Sequence, residues 1–238
     1  MTEKDRLATI GQTYTMYDKD QIVNAFRAQT IVENAKGPNI LELGCADGLV
    51  TKELCQNFHD VTAVDASLEL LTKARQCAPR ATFVHTLFED FHPSEQYNTV
   101  ILGHVLEHVE NPLTILQMIP PWMNHGGIAI ITVPNGDSIH RRVGVELGML
   151  QQTTELNEDD IRIGHRRVFT IESLRDLVHK AGFTILREQG ILLKPLSNRQ
   201  MLHWPQELFQ ALYRLGKKLP CEYGGELCIV CDRTPLQT

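Results

Sequence analysis

Four histidines occupy positions where a proton acceptor could act. His104 and His108 are separated by one helical turn and have Glu107 between them. His140 and His165 each begin a His-Arg-Arg triplet. An imidazole has an unperturbed pKa of about 6.5, so it can take the proton of a reacting hydroxyl group near neutral pH. We therefore predict His104, His108 and His165 as catalytic candidates.

The segment from His104 to His108 also contains possible metal ligands. Two imidazoles and one carboxylate suit zinc or iron better than magnesium. The alternative is that Glu107 and His108 bond to neighbouring backbone and hold the loop.

The two basic triplets form a second candidate group. Arginine forks match carboxylate and phosphate groups, so the triplets predict an anionic ligand. Acidic residues between the triplets offer an alternative, because surface ion pairs with them would form at little net energy. The predicted substrate-binding residues are His140, Arg141, Arg142 and Arg166, and their possible acidic partners are Glu155, Glu158, Asp159 and Asp160.

A glycine turn and an acid form the third group. Gly44 and Gly48 follow an apolar run, and glycine there allows a positive φ and close approach to a ligand. Asp65 ends the next apolar run, where a carboxylate can accept hydrogen bonds from both hydroxyls of a ribose. The alternative is that Asp65 only caps the helix beginning near Ser67. Ala46 interrupts the glycine spacing of dinucleotide-binding loops, so a nicotinamide cofactor fits poorly.

Short apolar runs alternate with helical patterns and would position these residues. Nearly continuous Val, Ile and Leu runs are typical of strands covered on both faces, and the alternation predicts right-handed crossovers. The predicted fold class is α/β, with a doubly wound, mostly parallel seven-stranded sheet. The predicted strands are Ile40–Leu43, Val61–Val64, Ala81–Val84, Thr99–Leu102, Ile128–Val133, Phe183–Leu193 and Glu226–Cys231.

The remaining segments are interpreted as parts of a single domain spanning residues 1–238. Residues 1–36 form a helical cap, with a helix over Asp18–Lys36. Residues 135–169 have no regular pattern, which at this length indicates an inserted lid. Residues 194–222 form a helical insertion. Its amphipathic part near Leu208–Leu215 predicts core packing or a subunit contact, with a cap over the site as the alternative.

Composition limits the partners and the location. The formal net charge of -6 and the pI near 5.9 give no basic surface for nucleic acid. No apolar run is long enough for a membrane helix and no secretion signal is seen, so a cytoplasmic location is predicted. Cys228 and Cys231 lie in a predicted strand and should face opposite sides of the sheet as buried thiols.

Five motifs, in order along the chain, resemble those of class I S-adenosylmethionine-dependent methyltransferases of the small-molecule type. Residues 42–48 (ELGCADG) are similar to the first motif and residues 64–65 (VD) to the second. Residues 97–112 (YNTVILGHVLEHVENP) resemble the segment after the fourth strand, and residues 126–135 (GGIAIITVPN) the fifth-strand motif. Residues 181–183 (AGF) resemble the final helix-to-strand turn.

The resemblance implies S-adenosylmethionine as the cofactor and S-adenosylhomocysteine as its product. It places the methionine and ribose at the glycine turn and Asp65, and the loop of His104 under the sulfonium. Leu87 stands where many relatives have an aspartate for the adenine, so main chain near Leu87 and Phe88, or Glu89, would replace that contact. The implied cofactor-binding residues are Glu42, Gly44, Cys45, Gly48, Asp65, Ala66, Leu87, Phe88 and His104.

The resemblance also ranks the acceptors. The pattern is similar to methyltransferases of sugar and polysaccharide pathways and to ubiquinone-type enzymes, which implies a small-molecule acceptor, with an anionic or nucleotide-linked sugar as the leading class. Some ubiquinone-type enzymes carry a metal site with glutamate where this chain has His104, so no metal is predicted. A homodimer is a further expectation. The alternatives are a non-catalytic S-adenosylmethionine-binding regulatory subunit and a nicotinamide-dependent oxidoreductase.

Overall fold

The structure is a computed structural model that describes residues 18–233. Residues 1–17 of the predicted helical cap lie outside the described residues. The predicted helix Asp18–Lys36 is α1, which spans Asp18–Asn34 and ends before Gly37-Pro38.

The remaining elements follow the predicted alternation of strands and helices. The strands are β1 (Asn39–Leu43), β2 (Asp60–Asp65), β3 (Thr82–His85), β4 (Tyr97–Gly103), β5 (Met123–Pro134), β6 (Phe183–Leu193) and β7 (Gly224–Arg233). The further helices are α2 (Leu49–Asn57), α3 (Leu68–Cys77), α4 (Pro112–Met118), α5 (Ile139–Glu146), α6 (Glu158–Arg162), α7 (Ile171–Lys180), α8 (Asn198–Met201) and α9 (Gln206–Gly216).

The seven described strands form one sheet in the order β3-β2-β1-β4-β5-β7-β6. Neighbours from β3 to β5 pair in parallel, whereas β7 is antiparallel to both β5 and β6. The chain builds outward from β1 to β3 and then crosses back to start β4 beside β1. Ligands of open α/β sheets bind outside the carboxyl ends of the strands at such a reversal. The doubly wound, mostly parallel fold is therefore confirmed.

Alternate residues of the central strands supply two separate cores. Ile40 and Ile101 face the side covered by α1, α2 and α9, whereas Leu41 and Leu102 face the side covered by α4 and α7. All four side chains are fully buried. Strands covered on both faces explain the nearly continuous apolar runs.

Helix α9 corresponds to the predicted amphipathic segment. Phe209 and Tyr213 are buried, and the Tyr213 ring stacks on Phe26 of α1 with centroids 4.6 Å apart. The Tyr213 hydroxyl lies 2.9 Å from the Thr30 Oγ1 atom. The core-packing interpretation is confirmed for this face of the helix.

The two cysteines of β7 are also where the sequence predicts them. Cys228 belongs to the core on the α1 side and Cys231 to the core on the α4 side, and both are buried free thiols. Their separation across the sheet confirms the interpretation as buried thiols on opposite faces.

The predicted lid, residues 135–169, leaves the sheet after β5 and contains α5 and α6. Its two ends are tied together, because Asn135 forms a bridge with Phe169 and Gly136 N donates to Phe169 O at 2.7 Å. Asn157 and Asp160 form a capping box on α6. The two ends of the segment are thus hydrogen-bonded to each other. Opening and closing of this lid stay a prediction.

Among the helices within residues 18–233, none combines the length and the apolar character needed to cross a bilayer.

Candidate active site

A cavity of about 340 Å³ opens where β1, β2 and β4 end. The turn after β1, the end of β2 and the loop after β4 form its walls, and α1 contributes from the side. The described lining residues are Asn24, Arg27, Glu42, Gly44, Cys45, Ala46, Asp47, Leu49, Val50, Asp65, Ala66, Ser67, Leu70, Leu87, Phe88, Glu89, Gly103, His104, Val105, His108, Val109 and Glu110.

The turn after β1 depends on glycine at one position that lines the cavity. Gly44 has φ +74°, and a Cβ atom there would lie 2.6 Å from Val105 Cγ2. Ala46 also has a positive φ, 47°. The turn therefore brings bare backbone to the cavity, as the sequence predicts.

Gly48 has a packing role beside the one predicted. It precedes α2 with φ +86°, and a Cβ atom there would lie 2.8 Å from Ala74 Cα in α3. It is absent from the described lining residues. The glycine allows α2 and α3 to pack closely, and its contact with a cofactor stays a prediction.

Asp65 joins two turns at the cavity wall. Its Oδ2 accepts a hydrogen bond from Ala46 N at 3.0 Å, and its Oδ1 accepts one from Ser67 N at 2.8 Å. Removal from water raises the pKa of this carboxyl, against the effect of these hydrogen bonds. Ser67, not Asp65, caps α3, because its hydroxyl accepts from Leu70 N. Asp65 is therefore not the N-cap of α3, although its Oδ1 accepts a hydrogen bond from the N-cap residue.

Glu42 lies deeper in the cavity wall and is 3% exposed. Its Oε2 accepts a hydrogen bond from Thr51 Oγ1 at 2.6 Å. Burial, with a smaller contribution from the nearby Asp65 and Asp47 carboxylates, raises the pKa of Glu42 to about 8, against the effect of the Thr51 hydrogen bond. Burial also raises the pKa of the Cys45 thiol. Both groups therefore hold their protons at neutral pH in this structure.

Leu87 and Phe88 line the cavity beside Ala66, as the adenine prediction requires. Glu89, the alternative partner for the adenine, lines it too. The structure brings these four residues together at the ends of β2 and β3.

His104 follows β4 directly and has φ +58°, a strained conformation for a side chain other than glycine. Its Nδ1 lies 3.3 Å from Glu107 Oε1, and its Nε2 lies 3.2 Å from Glu226 Oε2. Both ring nitrogens thus face carboxylates at the cavity wall.

Glu226 of β7 is held by Arg27 of α1. Arg27 donates from Nε to Oε2 at 2.8 Å and from Nη2 to Oε1 at 2.5 Å, and both side chains are almost fully buried. Burial alone would raise the pKa of Glu226, but Arg27 and His104 outweigh it and hold the pKa well below its usual range. The carboxylate therefore stays ionised.

Arg27 and Glu226 are not among the site residues predicted from the sequence. Each is a charged residue beside an apolar run that becomes buried: Phe26 precedes Arg27 and Leu227 follows Glu226. A charge in a buried run needs a partner. That signal indicates a buried pair without identifying which residues form it.

His108 and His165 lie against each other, with ring centroids 4.7 Å apart and an edge-to-face arrangement. His108 lines the cavity, and removal from water lowers its pKa to about 4 despite the opposite effect of Glu107. His165 Nδ1 lies 3.3 Å from Asp160 Oδ1. His104 and His108 thus line the cavity, whereas His165 is absent from the described lining residues and contacts His108.

The arginines of the triplets donate to protein groups. Arg141 is buried and donates to the carbonyls of Thr153 and Glu155 and, at 3.2 Å, to Asp160 Oδ2. The Arg141–Asp160 contact is an ion pair between a triplet arginine and one of the acidic residues between the triplets, as the ion-pair alternative predicts. The pair is buried, however, and does not lie on the surface. It holds the lid together.

The other predicted acceptor-binding side chains also have partners. Arg142 Nε donates to Asp137 O at 2.6 Å, and Arg166 Nε donates to His108 O at 3.1 Å. His140 Nδ1 lies 3.0 Å from Ser138 Oγ, and burial lowers the pKa of this imidazole to about 2. These residues and Arg141 are absent from the described cavity lining, so their binding of an acceptor stays a prediction.

The possible metal ligands differ from the set that the sequence suggested. Donor atoms of Glu107, His108 and His165 lie within 4.8 Å of one another. His165 of the lid therefore takes the place that the sequence motif gave to His104.

Comparisons with known proteins agree with this geometry. A sequence model of the methyltransferase domain family matches residues 14–188, more than half of the chain. The ubiquinone biosynthesis O-methyltransferase of Psychrobacter arcticus is 25% identical over 211 residues, which cover 83% of this chain and 78% of the relative.

Solved structures show the same fold. The complex of DhpI with S-adenosylhomocysteine has a TM-score of 0.62 at 15% identity, and the match covers 98% of this chain and 96% of DhpI. The N-methyltransferase NodS of Bradyrhizobium japonicum, in complex with S-adenosylhomocysteine, has a TM-score of 0.55 at 15% identity, with 91% and 87% of the two chains covered. The chain therefore belongs to the methyltransferase domain family, in the S-adenosylmethionine-dependent class that its motifs predicted.

Proposed function

We propose that this methyltransferase transfers the methyl group of S-adenosylmethionine to a hydroxyl oxygen of a small molecule. The observation that carries the proposal is that His104 and His108 line the same cavity as the glycine turn and Asp65. An amine acceptor needs little help with its proton, whereas a hydroxyl acceptor benefits from a basic group beside it. The similarity to relatives named ubiquinone biosynthesis O-methyltransferase supports an oxygen acceptor.

In this proposal the cofactor occupies the cavity from the glycine turn to Phe88. Asp65 accepts hydrogen bonds from the ribose hydroxyls, and Ala66, Leu87 and Phe88 contact the adenine. The sulfonium and ammonium of the cofactor are cations, and Glu42 supplies a carboxyl that their binding would ionise. The acidic lining thus complements the charge of the donor.

The reaction is an in-line displacement, so the protein mainly aligns the two reactants. The acceptor oxygen forms a bond to the methyl carbon as the bond between carbon and sulfur breaks. The hydroxyl proton is transferred to an imidazole beside the cavity. His104, His108 and His165 stay the candidates for this proton acceptor. S-adenosylhomocysteine leaves as the neutral-sulfur product.

The acceptor's charge stays a prediction. An anionic sugar would need cations at the cavity, and the arginines predicted for that task donate to lid and loop groups instead. Arg27 lines the cavity, but Glu226 neutralises it. A cytoplasmic location, a homodimer, the exclusion of nucleic acid and the single-domain organisation also stay predictions.

Matched acceptors test the proposal. Purified protein and methyl-labelled S-adenosylmethionine are incubated with a phenol and an aniline of the same scaffold, and with a sugar and its phosphate. We expect label on the phenolic or sugar oxygen. Label only on nitrogen would contradict the proposal. Cofactor binding without methyl transfer to any acceptor would favour the regulatory-subunit alternative.

A further inference from the structure

We infer that Glu107, His108 and His165 form a binding site for a transition-metal ion of the zinc or iron class, which fastens the lid to the loop after β4. The inference goes beyond the proposed function, because methyl transfer itself requires no metal. It also differs from the set of three residues within 104–108 that the sequence offered. A metal ion bound to His108 and His165 would leave His104 as the proton acceptor among the three candidate histidines.

The first observation is a buried carboxylate that lacks hydrogen bonds. Glu107 is fully buried, and neither of its carboxylate oxygens has a hydrogen-bond partner within the described residues. Burial of an ionised carboxylate is costly unless a cation or donors compensate it. Donor atoms of His108 and His165 lie within 4.8 Å of this carboxylate and of each other. The arrangement brings a buried carboxyl group without hydrogen bonds and two imidazoles together around one point.

His104 does not satisfy Glu107 in the same way. Its Nδ1 is 3.3 Å from Glu107 Oε1 but is not aligned as a hydrogen bond, and its other nitrogen faces Glu226. A histidine turned toward two carboxylates is poorly placed as the third ligand. The chain therefore offers His165 instead.

Both imidazoles are oriented as metal ligands usually are. A ligating histidine typically directs its second ring nitrogen to a carboxylate or a backbone carbonyl. His165 Nδ1 faces Asp160 Oδ1, which leaves Nε2 for a cation. His108 hydrogen-bonds to the backbone of Gly164, as a ligating histidine usually does with one ring nitrogen.

The orienting carboxylate is itself fixed. Asp160 accepts a hydrogen bond from the buried Arg141 at 3.2 Å, and its backbone N–H donates to Asn157 Oδ1 at 2.8 Å. Arg141 thus acts on the site through Asp160 and His165. This gives the buried arginine of the first triplet a positioning role.

The ligands come from two segments that are already joined. Arg166 N donates to Glu107 O at 2.8 Å, and Arg167 donates to Leu106 O and Glu110 O at 2.8 and 2.9 Å. A metal ion would therefore bind with little rearrangement of the backbone. Two imidazoles and one carboxylate favour zinc, iron or cobalt, whereas magnesium prefers oxygen ligands.

Metal titration of the full chain tests the inference. Chelator-treated protein is titrated with Zn²⁺, Co²⁺ and Mg²⁺ by calorimetry, and the bound Co²⁺ is followed by its visible absorption. We expect about one Zn²⁺ or Co²⁺ per chain and no heat from Mg²⁺. His165→Ala and Glu107→Gln should each weaken Zn²⁺ binding by more than about 100-fold, and Asp160→Asn by about 10- to 100-fold.

His179→Ala is the matched control, because this exposed histidine of α7 lies outside the cluster. Asp160→Asn keeps every ligand, so it remains informative if a ligand substitution unfolds the protein. The inference is overturned if the folded wild type does not bind Zn²⁺, if Mg²⁺ binds as tightly, or if both His165→Ala and Asp160→Asn keep the wild-type constant. None of these readouts depends on methyl transfer, so a failure here is separate from a failure of the proposed function.

Discussion

Asp65 and Glu42 are carboxyl groups in the wall of one cavity, but their surroundings differ. Asp65 accepts backbone hydrogen bonds on both oxygens, whereas Glu42 accepts one from the Thr51 hydroxyl. Hydrogen bonds to the ionised form oppose the effect of burial. At the residue scale, backbone hydrogen bonds thus oppose the rise in the pKa of Asp65, whereas Glu42, with one hydroxyl donor, holds a proton until a cation binds.

Asp65→Ala should weaken binding of S-adenosylhomocysteine by on the order of 1–3 kcal/mol, because charged hydrogen bonds to the ribose are lost. Calorimetry measures the change. Asp60→Ala is the control, since Asp60 is exposed at the opposite end of the same strand. An unchanged constant in folded Asp65→Ala protein would show that the ribose lies elsewhere.

Glu42 should make stability fall as pH rises. Its carboxyl loses its proton near the ordinary value of 4.5 in the unfolded chain, but near about 8 in the folded protein. The folded state therefore binds the extra proton between these values, and stability declines across that window and levels off above it.

Glu42→Gln should remove this decline, so its advantage over the wild type should grow by on the order of a few kcal/mol from pH 5 to pH 8. Urea unfolding at both pH values measures the difference. Glu172→Gln, at an exposed carboxyl, should show no such growth. A constant difference between Glu42→Gln and wild type would contradict the proposed proton on Glu42.

At the element scale, one ion pair joins α1, β7 and the loop after β4. Arg27 of α1 binds Glu226 of β7, and Glu226 faces His104 at the end of β4. Helix α1 and strand β7 thus help to position the side chain of His104, which lines the cavity. The pair also accounts for two charges inside otherwise apolar surroundings.

Arg27→Ala should destabilise the protein by about 3–5 kcal/mol, because it leaves Glu226 buried without its cation. The free energy of unfolding in urea gives the value. Lys73→Ala breaks the exposed pair with Glu69 and should change stability by less than about 1 kcal/mol. Equal losses of unfolding free energy in the two variants would contradict the prediction that the buried Arg27 pair matters more for stability than the exposed Lys73 pair.

At the scale of the whole molecule, the sheet order places the cavity where the chain reverses direction between β1 and β4. Turns from β1, β2 and β4 meet there, so a bound cofactor contacts several distant parts of the chain. A ligand that binds only this assembled form stabilises the entire fold.

S-adenosylhomocysteine at 100 times its dissociation constant should stabilise the protein by about 2.7 kcal/mol and raise its melting temperature by about 5–10 °C. Thermal unfolding followed by circular dichroism measures the shift. NAD at the same concentration should give no shift, because Ala46 interrupts the dinucleotide spacing. A shift with NAD alone would favour the oxidoreductase alternative.

The sequence predicts the sheet well because strands buried on both faces leave nearly continuous apolar runs. β5 begins at Met123, earlier than predicted. Its first residues are mostly polar or glycine, so they lack the apolar pattern from which the strand was predicted. The direction of β7 carries no signal in its residues. The glycine turn and Asp65 are local features and were predictable.

Contacts between distant residues were not predictable. Arg27 and Glu226 are 199 positions apart, and His165 reaches His108 only after the lid folds back. Nothing in a single sequence pairs such residues. The triplet arginines show the same limit, since their partners are mostly backbone carbonyls, which every sequence contains.

The position of β7 has a consequence for synthesis on the ribosome. This strand is made after the other six described strands, yet its place is inside the sheet, between β5 and β6. A nascent chain that ends at β6 therefore has a gap at that place and lacks the carboxylate of Glu226 that faces His104. The cavity wall is completed only when β7 has emerged, so a partly made chain cannot present the finished site.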